Sequence, residues 1–161
     1  SMKPSGNLVV AAAPKKSAFD DLHEGFVIRY IGDAFRFDQD KVKKFCVLTG
    51  DTNPIHTDPD RAHKAEFSSV VVPGFQVLSA LGAVATEFFD GIIFLGMDKV
   101  KFHRPVYPFC EISVDFTCTR KKIVLNKKFT KFNFTVRDRS YHGGEENLKK
   151  YITGVTTLLF M

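Results

Sequence analysis

The chain has 161 residues, of which 44% are hydrophobic and 25% are charged, and its formal net charge is +5. These values are ordinary for a soluble globular protein and fit one domain with a full core. A mild positive charge favours anionic partners in general, but it does not separate nucleic acid from a phosphorylated cofactor or an acidic carrier protein.

Three cysteines without a CxxC pair argue against a disulfide framework and a cysteine-based zinc site. They favour a reducing compartment, either the cytoplasm or the mitochondrial matrix if the source is eukaryotic. No apolar run approaches the roughly 20 residues that span a bilayer, so no membrane partner is expected. We interpret residues 1–18 as a flexible tail and residues 19–161 as a single domain.

The first predicted elements are a short strand at 26–31 and a helix at 39–48. Asp38 is a suitable N-cap for the helix, and Gly50 is a suitable stop. One apolar stripe of the helix is formed by Val42, Phe45 and Cys46.

Residues 49–60 carry the strongest chemical signal, because Asp51, Asn53 and His56 lie close together in sequence. Glycine and proline oppose regular structure here, and Pro54 pushes Asn53 toward extended geometry. A stiff turn that brings an acid near an imidazole suits general acid–base chemistry. Such turns also cap helices, and Asp58 before Pro59 fits the N-cap of a second short helix.

A second long helix is predicted from Gly74 to about residue 89. It is apolar nearly all round, so we expect it to be buried on every side. Its small residues allow other elements to approach closely; they are Ser79, Ala80, Gly82, Ala83 and Ala85.

The remaining chain alternates like β-strands, at 92–103, 111–118, 129–136 and 151–160. Pro105 and Pro108 separate the first two strands, and Gly143-Gly144 marks an exposed hairpin loop before the last. Four strands in series leave one face for the long helix to cover, which predicts an α+β fold.

The chain resembles the MaoC-like, R-specific enoyl-thioester hydratases and dehydratases of the hot-dog fold. Three blocks carry the likeness in order: residues 48–58 around the Asp–Asn–Pro–His turn, Val72-Pro73-Gly74-Phe75, and residues 100–108. The resemblance covers roughly residues 25–160. It implies a long central helix wrapped by a curled antiparallel sheet, and a homodimer whose two sheets join.

The resemblance also implies roles for particular residues. Asp51 and His56 would be the catalytic pair, Asn53 a supporting polar group, and the backbone N–H of Gly74 an oxyanion donor. Many members carry His-Gly-Met where this chain has Pro73-Gly74-Phe75. The glycine is kept, while the bulkier Phe75 bears on the length of the acyl chain.

Substrate contacts are expected from two sets of residues. Phe75 and Leu78 would line the acyl chain. Cations near the mouth would meet the phosphates of coenzyme A or of an acyl carrier protein, and the candidates are Lys43, Lys44, Lys64, Lys101 and Arg104. The lysine pairs at 121–122 and 127–128 flank a turn and are interpreted as solubilising.

The function implied is a lyase that reversibly hydrates trans-2-enoyl thioesters to (R)-3-hydroxyacyl thioesters. No cofactor and no metal are expected, because the spacing of the possible ligands His56, Asp58 and His63 does not match a known zinc pattern. Two alternatives remain on the same fold, an acyl-thioester binding module without turnover and a thioesterase. Nucleic-acid binding ranks last, because no basic stripe interleaved with aromatic residues is present.

Overall fold

The computed structural model describes residues 8–10, 16–139 and 149–161. The predicted Gly143-Gly144 loop lies outside these ranges. The strands are β1 Leu8–Val10, β2 Val27–Ile31, β3 Ile92–Phe102, β4 Ile112–Val124, β5 Lys127–Asp138 and β6 Lys150–Phe160. The α-helices are α1 Gln39–Thr49, α2 Pro59–Lys64 and α3 Gly74–Phe88, with short 3-10 helices at Phe19–Asp21, Asp33–Phe35 and Pro54–His56.

One sheet contains all six described strands, in the order β1-β2-β4-β5-β6-β3. Every pairing is antiparallel except that of β1, which falls within the predicted tail and pairs in parallel with β2. The predicted α+β architecture, an antiparallel sheet around a central helix, is confirmed.

A simple series of strands would pair β3 with β4, but these two strands are not neighbours in the sheet. Strand β3 pairs with β6 at the far edge of the sheet, with register shifts between Phe94 and Gly96 and between Asp98 and Lys101. The connection after β3 contains Pro105 and Pro108. Because proline lacks an N–H and resists continued pairing, this segment crosses to the other side of the sheet instead of forming a hairpin.

The core lies between α3 and the inner face of the sheet. Helix α3 buries Val77, Leu81, Val84, Ala85 and Phe88, and the sheet contributes Phe116, Phe132 and Phe134. Burial of each of these valine, leucine and phenylalanine side chains stabilises the fold by about 1.5–3 kcal/mol.

The expectation that α3 is buried on every side is wrong for the single chain. Phe75, Ser79, Ala83, Thr86 and Glu87 are exposed. These positions recur at about one helical turn and form a continuous stripe. Up to Ala83 this stripe consists of apolar or small residues, which is why the sequence pattern alone indicated complete burial.

The predicted helix caps are confirmed. The side chain of Asp38 accepts a hydrogen bond from Lys41 N at 2.7 Å, and Gly50 ends α1 with a φ of 72°. Asp58 accepts from the backbone N–H groups of Asp60 and Arg61 at the start of α2. These caps fix both ends of the turn that carries the candidate site.

Candidate active site

The turn between α1 and α2 is built by its own side chains. The carboxylate oxygen Oδ1 of Asp51 accepts from the backbone N–H of Asn53 at 3.1 Å, and Asn53 Oδ1 accepts from Ile55 N at 3.3 Å. The 3-10 helix Pro54–His56 follows. Asn53 is exposed, and its side chain supports the turn without reaching into a cavity.

His56 is the buried polar residue of this turn, with 9% of its surface exposed. Its Nδ1 lies 2.6 Å from the carbonyl oxygen of Val71. Because a carbonyl oxygen only accepts hydrogen bonds, Nδ1 carries the proton. In the neutral imidazole, Nε2 therefore holds the free lone pair, and this atom lies 3.6 Å from Asp51 Oδ2.

The Asp51 carboxylate also influences the pKa of a neighbouring thiol, that of Cys46. Burial, and secondarily the negative charge of Asp51, raises the pKa of the Cys46 thiol. Cys46 is buried and thus remains a neutral thiol next to the turn. The reactive groups on this side of the site are therefore the carboxylate and the imidazole.

A cavity of about 380 Å³ lies beside His56. The walls are mostly apolar; they comprise His56, Phe67, Val71, Val72, Gly74, Phe75, Phe102, His103, Arg104, Pro105, Val106 and Ile152. A cavity of this size, apolar with a few converging polar groups, is typical of a small-molecule site.

The N-terminus of α3 forms one wall of the cavity. The N–H groups of Gln76 and Val77 donate to the carbonyl of Pro73, whereas that of Gly74 has no partner among the described residues. The ring of Phe102 occupies the space that a β-carbon at position 74 would need. Glycine is therefore required for this close packing, and its free N–H lies at the positive end of the helix dipole.

Only part of the predicted substrate-binding set meets at this cavity. Phe75 and Arg104 line it. Leu78 lies in a second cavity of about 340 Å³, beside Phe94 and Met97, because it projects one turn further along α3. Lys43 and Lys64 are exposed and line neither cavity.

The two further cations of the candidate set are also outside the cavity. Lys44 forms an ion pair with Asp40 at 2.6 Å. Lys101 is exposed on β3.

His103 is a residue of the site that the sequence analysis did not identify. His103 lines the same cavity as His56, and its Nε2 lies 2.8 Å from Thr153 Oγ1. The signal was present in the block of residues 100–108, because a residue next to Arg104 at the end of a strand shares its surroundings. The site therefore contains two imidazoles rather than one.

Within residues 8–10, 16–139 and 149–161, no group of three His, Cys, Asp or Glu side chains is placed to hold a metal ion. In the same ranges, no helix has the length and apolar character needed to cross a bilayer.

The sequence is similar to those of known dehydratases. A mitochondrial 3-hydroxyacyl-[acyl-carrier-protein] dehydratase of Arabidopsis thaliana is 29% identical over 107 residues, which cover 64% of each chain. The chain thus spans less than two thirds of the length of this relative.

Solved structures share the fold. A monoamine oxidase regulatory protein from Archaeoglobus superposes with a TM-score of 0.75 at 23% identity, covering 93% of this chain and 97% of that one. An (R)-hydratase from A. caviae, described as involved in PHA biosynthesis, gives a TM-score of 0.71 at 22% identity, with coverages of 87% and 98%.

The family described as "MaoC like domain" matches residues 28–139, which is well over half of the sequence and includes the turn, α3 and the end of β3. The fold agrees with the hot-dog structures of the hydratases. The chain belongs to the MaoC-like dehydratase family.

Proposed function

We propose that the protein is a hydro-lyase that interconverts trans-2-enoyl thioesters and (R)-3-hydroxyacyl thioesters. The observation that carries the proposal is one apolar cavity lined by both the imidazole of His56 and the N-terminus of α3, where the N–H of Gly74 is free. Asp51 does not line this cavity itself, but its carboxylate lies 3.6 Å from His56 Nε2. The family and the Arabidopsis relative's name support the same reaction class.

The two proton transfers of the reaction can be carried out by Asp51 and His56. Hydration requires water to lose a proton as its oxygen bonds to C3, and C2 to gain one. The lone pair on His56 Nε2 and the Asp51 Oδ2 atom face each other beyond hydrogen-bond distance, which suits two acceptors sharing one water. One group takes the proton while the other orients the water, and the proton then returns to C2. Each such transfer contributes about 10²–10⁴ in rate.

The hydrogen bond to Val71 keeps His56 in the required tautomer. When Nε2 accepts a proton, the nearby Asp51 carboxylate stabilises the imidazolium. The Asp51 carboxylate is itself held by the backbone N–H of Asn53. Asn53 would thus support the site through its backbone and its turn.

The thioester carbonyl would bind at the N-terminus of α3. Hydrogen bonding to the Gly74 N–H, with the helix dipole, stabilises the enolate oxygen that develops during water addition. Loss of one such donor typically lowers the rate by about 10²–10³. The acyl chain would pass along the apolar wall beside Phe75, and Arg104 would meet the phosphates of coenzyme A or of a carrier protein.

A homodimer completes this proposal. Strand β3 is an edge strand, and its exposed apolar side chains include Ile93, Leu95 and Met97. The exposed stripe of α3 lies beside it, sharing the cavity that contains Leu78. A second copy of the chain would cover both the edge of β3 and the adjoining stripe of α3. In such a dimer, Leu78 and Phe75 would line one continuous path for the acyl chain.

The test is a scan of enoyl-CoAs of increasing chain length with the purified protein. Hydration removes the conjugated double bond, so the ultraviolet absorbance of the substrate should fall and 3-hydroxyacyl-CoA should appear. Release of free thiol instead would identify a thioesterase. Tight binding of the thioesters with no turnover at any length would identify a binding module.

A further inference from the structure

The hairpin between β4 and β5 exposes three consecutive aliphatic side chains. Ile123, Val124 and Leu125 are 60%, 44% and 92% exposed. Leu125 and Asn126 form the two-residue connection between the strands. The hairpin tip, defined as residues 123–126, therefore projects an apolar surface into solvent.

The backbone at the tip is unusual for leucine. Leu125 and Asn126 have φ values of 48° and 61°. Two-residue hairpins of this geometry favour asparagine, aspartate or glycine at both positions, because a β-carbon makes the left-handed region costly. Stability alone would favour glycine at 125, so the leucine side chain points to a role outside the fold.

Cations surround the hairpin tip. The segment 119–131 contains no Asp or Glu, and its cations are Arg120, Lys121, Lys122, Lys127, Lys128 and Lys131. Arg120 lies directly opposite Lys131 in the strand pairing. Like charges in this arrangement destabilise a sheet, so the local charge is not explained by stability either.

Some of these ammonium groups are held by the core side of the hairpin. Lys121 Nζ donates to the carbonyl of Leu22 at 2.9 Å and lies 4.4 Å from the ring centroid of Phe19, and Lys128 Nζ lies 5.6 Å from the same ring. Lys122 and Lys127 are exposed on the opposite face, where Lys127 pairs with Val124 and Lys122 pairs with Phe129. Positive charge therefore flanks the aliphatic tip on both faces.

The hairpin tip is remote from the candidate active site of its own chain. At the tip end, Lys128 pairs with Phe160, whereas Val136 pairs with Ile152, which lines the cavity. At about 3.3 Å per residue, these two positions on β5 lie roughly 26 Å apart. The proposed reaction does not use the tip.

We propose that this hairpin docks the protein on the surface of an anionic lipid bilayer. Ile123, Val124 and Leu125 enter the boundary between head groups and acyl chains, and the flanking cations contact lipid phosphates. A projecting tip with apolar residues at its end and cations behind matches the layered chemistry of a bilayer surface. A protein partner would instead have to supply an apolar groove surrounded by acids.

This inference reverses the interpretation of the lysine pairs as merely solubilising, and the expectation of no membrane partner. The change comes from the exposure and the left-handed backbone of Leu125, which no sequence pattern reveals. It is independent of the proposed lyase activity.

Co-sedimentation of the full chain with vesicles tests the proposal. We expect binding to vesicles that contain phosphatidylglycerol, little binding to phosphatidylcholine alone, and weakening as salt is raised. Leu125→Gly should keep the fold, because glycine adopts the left-handed backbone at position 125 without steric cost. It should nevertheless lower the partition coefficient for vesicles about tenfold or more, because each buried methylene group contributes roughly fourfold. Lys127→Ala should lower it about fivefold.

The matched controls are Val47→Ser, which removes another highly exposed aliphatic side chain, and Lys150→Ala, which removes an exposed lysine near the other end of the sheet. Both should bind like the unaltered protein. Equal effects of the controls and the tip variants would overturn the proposal. The proposal would also be overturned if the protein bound an acidic carrier protein but not vesicles, and Leu125→Gly abolished that binding. It would be overturned as well if the hairpin tip mediated self-association that Leu125→Gly abolished.

Discussion

The Asp51 carboxylate lies 3.6 Å from His56 Nε2, and the opposite nitrogen of that ring contacts the carbonyl of Val71. The imidazole is therefore oriented by the backbone, and its free lone pair faces the acid. This relationship makes the two side chains separable in experiment, because Asp51 is held by the N–H of Asn53 and His56 by the carbonyl of Val71.

Asp51→Asn and His56→Gln should each lower kcat for enoyl-CoA hydration by about 10²–10⁴, since each removes one proton acceptor. The asparagine can still accept from the N–H of residue 53, so the turn should persist. Circular dichroism and thermal unfolding would verify the fold. Rates within a few-fold of the unaltered enzyme in both variants would show that the chemistry lies elsewhere.

Gly74→Ala should be harmful because of Phe102. The added methyl group meets the Phe102 ring, and overpacking of this kind costs about 1–3 kcal/mol. We expect a lower midpoint in urea unfolding and a loss of hydratase activity. In the Phe102→Ala background the same glycine substitution should lower the midpoint much less, and an equally large loss there would contradict the proposed clash.

Arg104→Ala should raise KM for enoyl-CoA about fivefold with little change in kcat, because an exposed ion pair to a phosphate contributes modestly. The steady-state rates at low and moderate salt would measure this, and the difference should shrink as salt is added. Lys122→Ala, at the opposite end of the sheet, is the matched control. An equal rise in both KM values would indicate a general charge effect.

Leu95→Lys should convert the proposed dimer into monomers. The side chain is half exposed on the edge strand β3, and a lysine there would place an unpaired charge in the contact. Sedimentation velocity measures the result, with Ile123→Ser as a control that should leave the dimer intact. A protein that is monomeric before any substitution would refute the assembly.

Alkaline pH should destabilise the protein through Tyr151. Burial, and then the neighbouring Cys110 thiol, raises the pKa of Tyr151 above its ordinary value of 10.0. The folded state thus retains this proton while the unfolded state releases it, so the stabilisation is complete below pH 10 and falls as pH rises further. Urea unfolding at increasing pH should show this slope, up to about 1.4 kcal/mol per pH unit. Tyr151→Phe should flatten it, and an unchanged slope would assign the effect to other groups.

The sequence predicted the local features of the site because they depend on neighbours in the chain. Asp38, Gly50 and Asp58 act through hydrogen bonds and dihedral angles a few residues away, and all three hold the places expected of them. The proximity of Asp51 and His56 follows from the same short turn.

Long-range features could not be predicted in this way. Nothing in the sequence states that β3 pairs with β6, that Val71 fixes the tautomer of His56, or that Phe102 covers Gly74. The apolar face of α3 was expected to be buried, because composition does not distinguish a core from a surface that awaits a partner. Lys43 and Lys64 were chosen by proximity in sequence, and α-helical geometry directs them away from the cavity.

The two irregularities in β3, between Phe94 and Gly96 and between Asp98 and Lys101, divide its outer edge into short segments. Bulges increase the local twist and interrupt the regular row of backbone donors and acceptors. An approaching strand can therefore match only a limited stretch, and a shifted alignment loses most of its hydrogen bonds. Such an edge favours a single pairing register with a second strand. It also disfavours the repeated edge-to-edge pairing by which regular edge strands form fibrils.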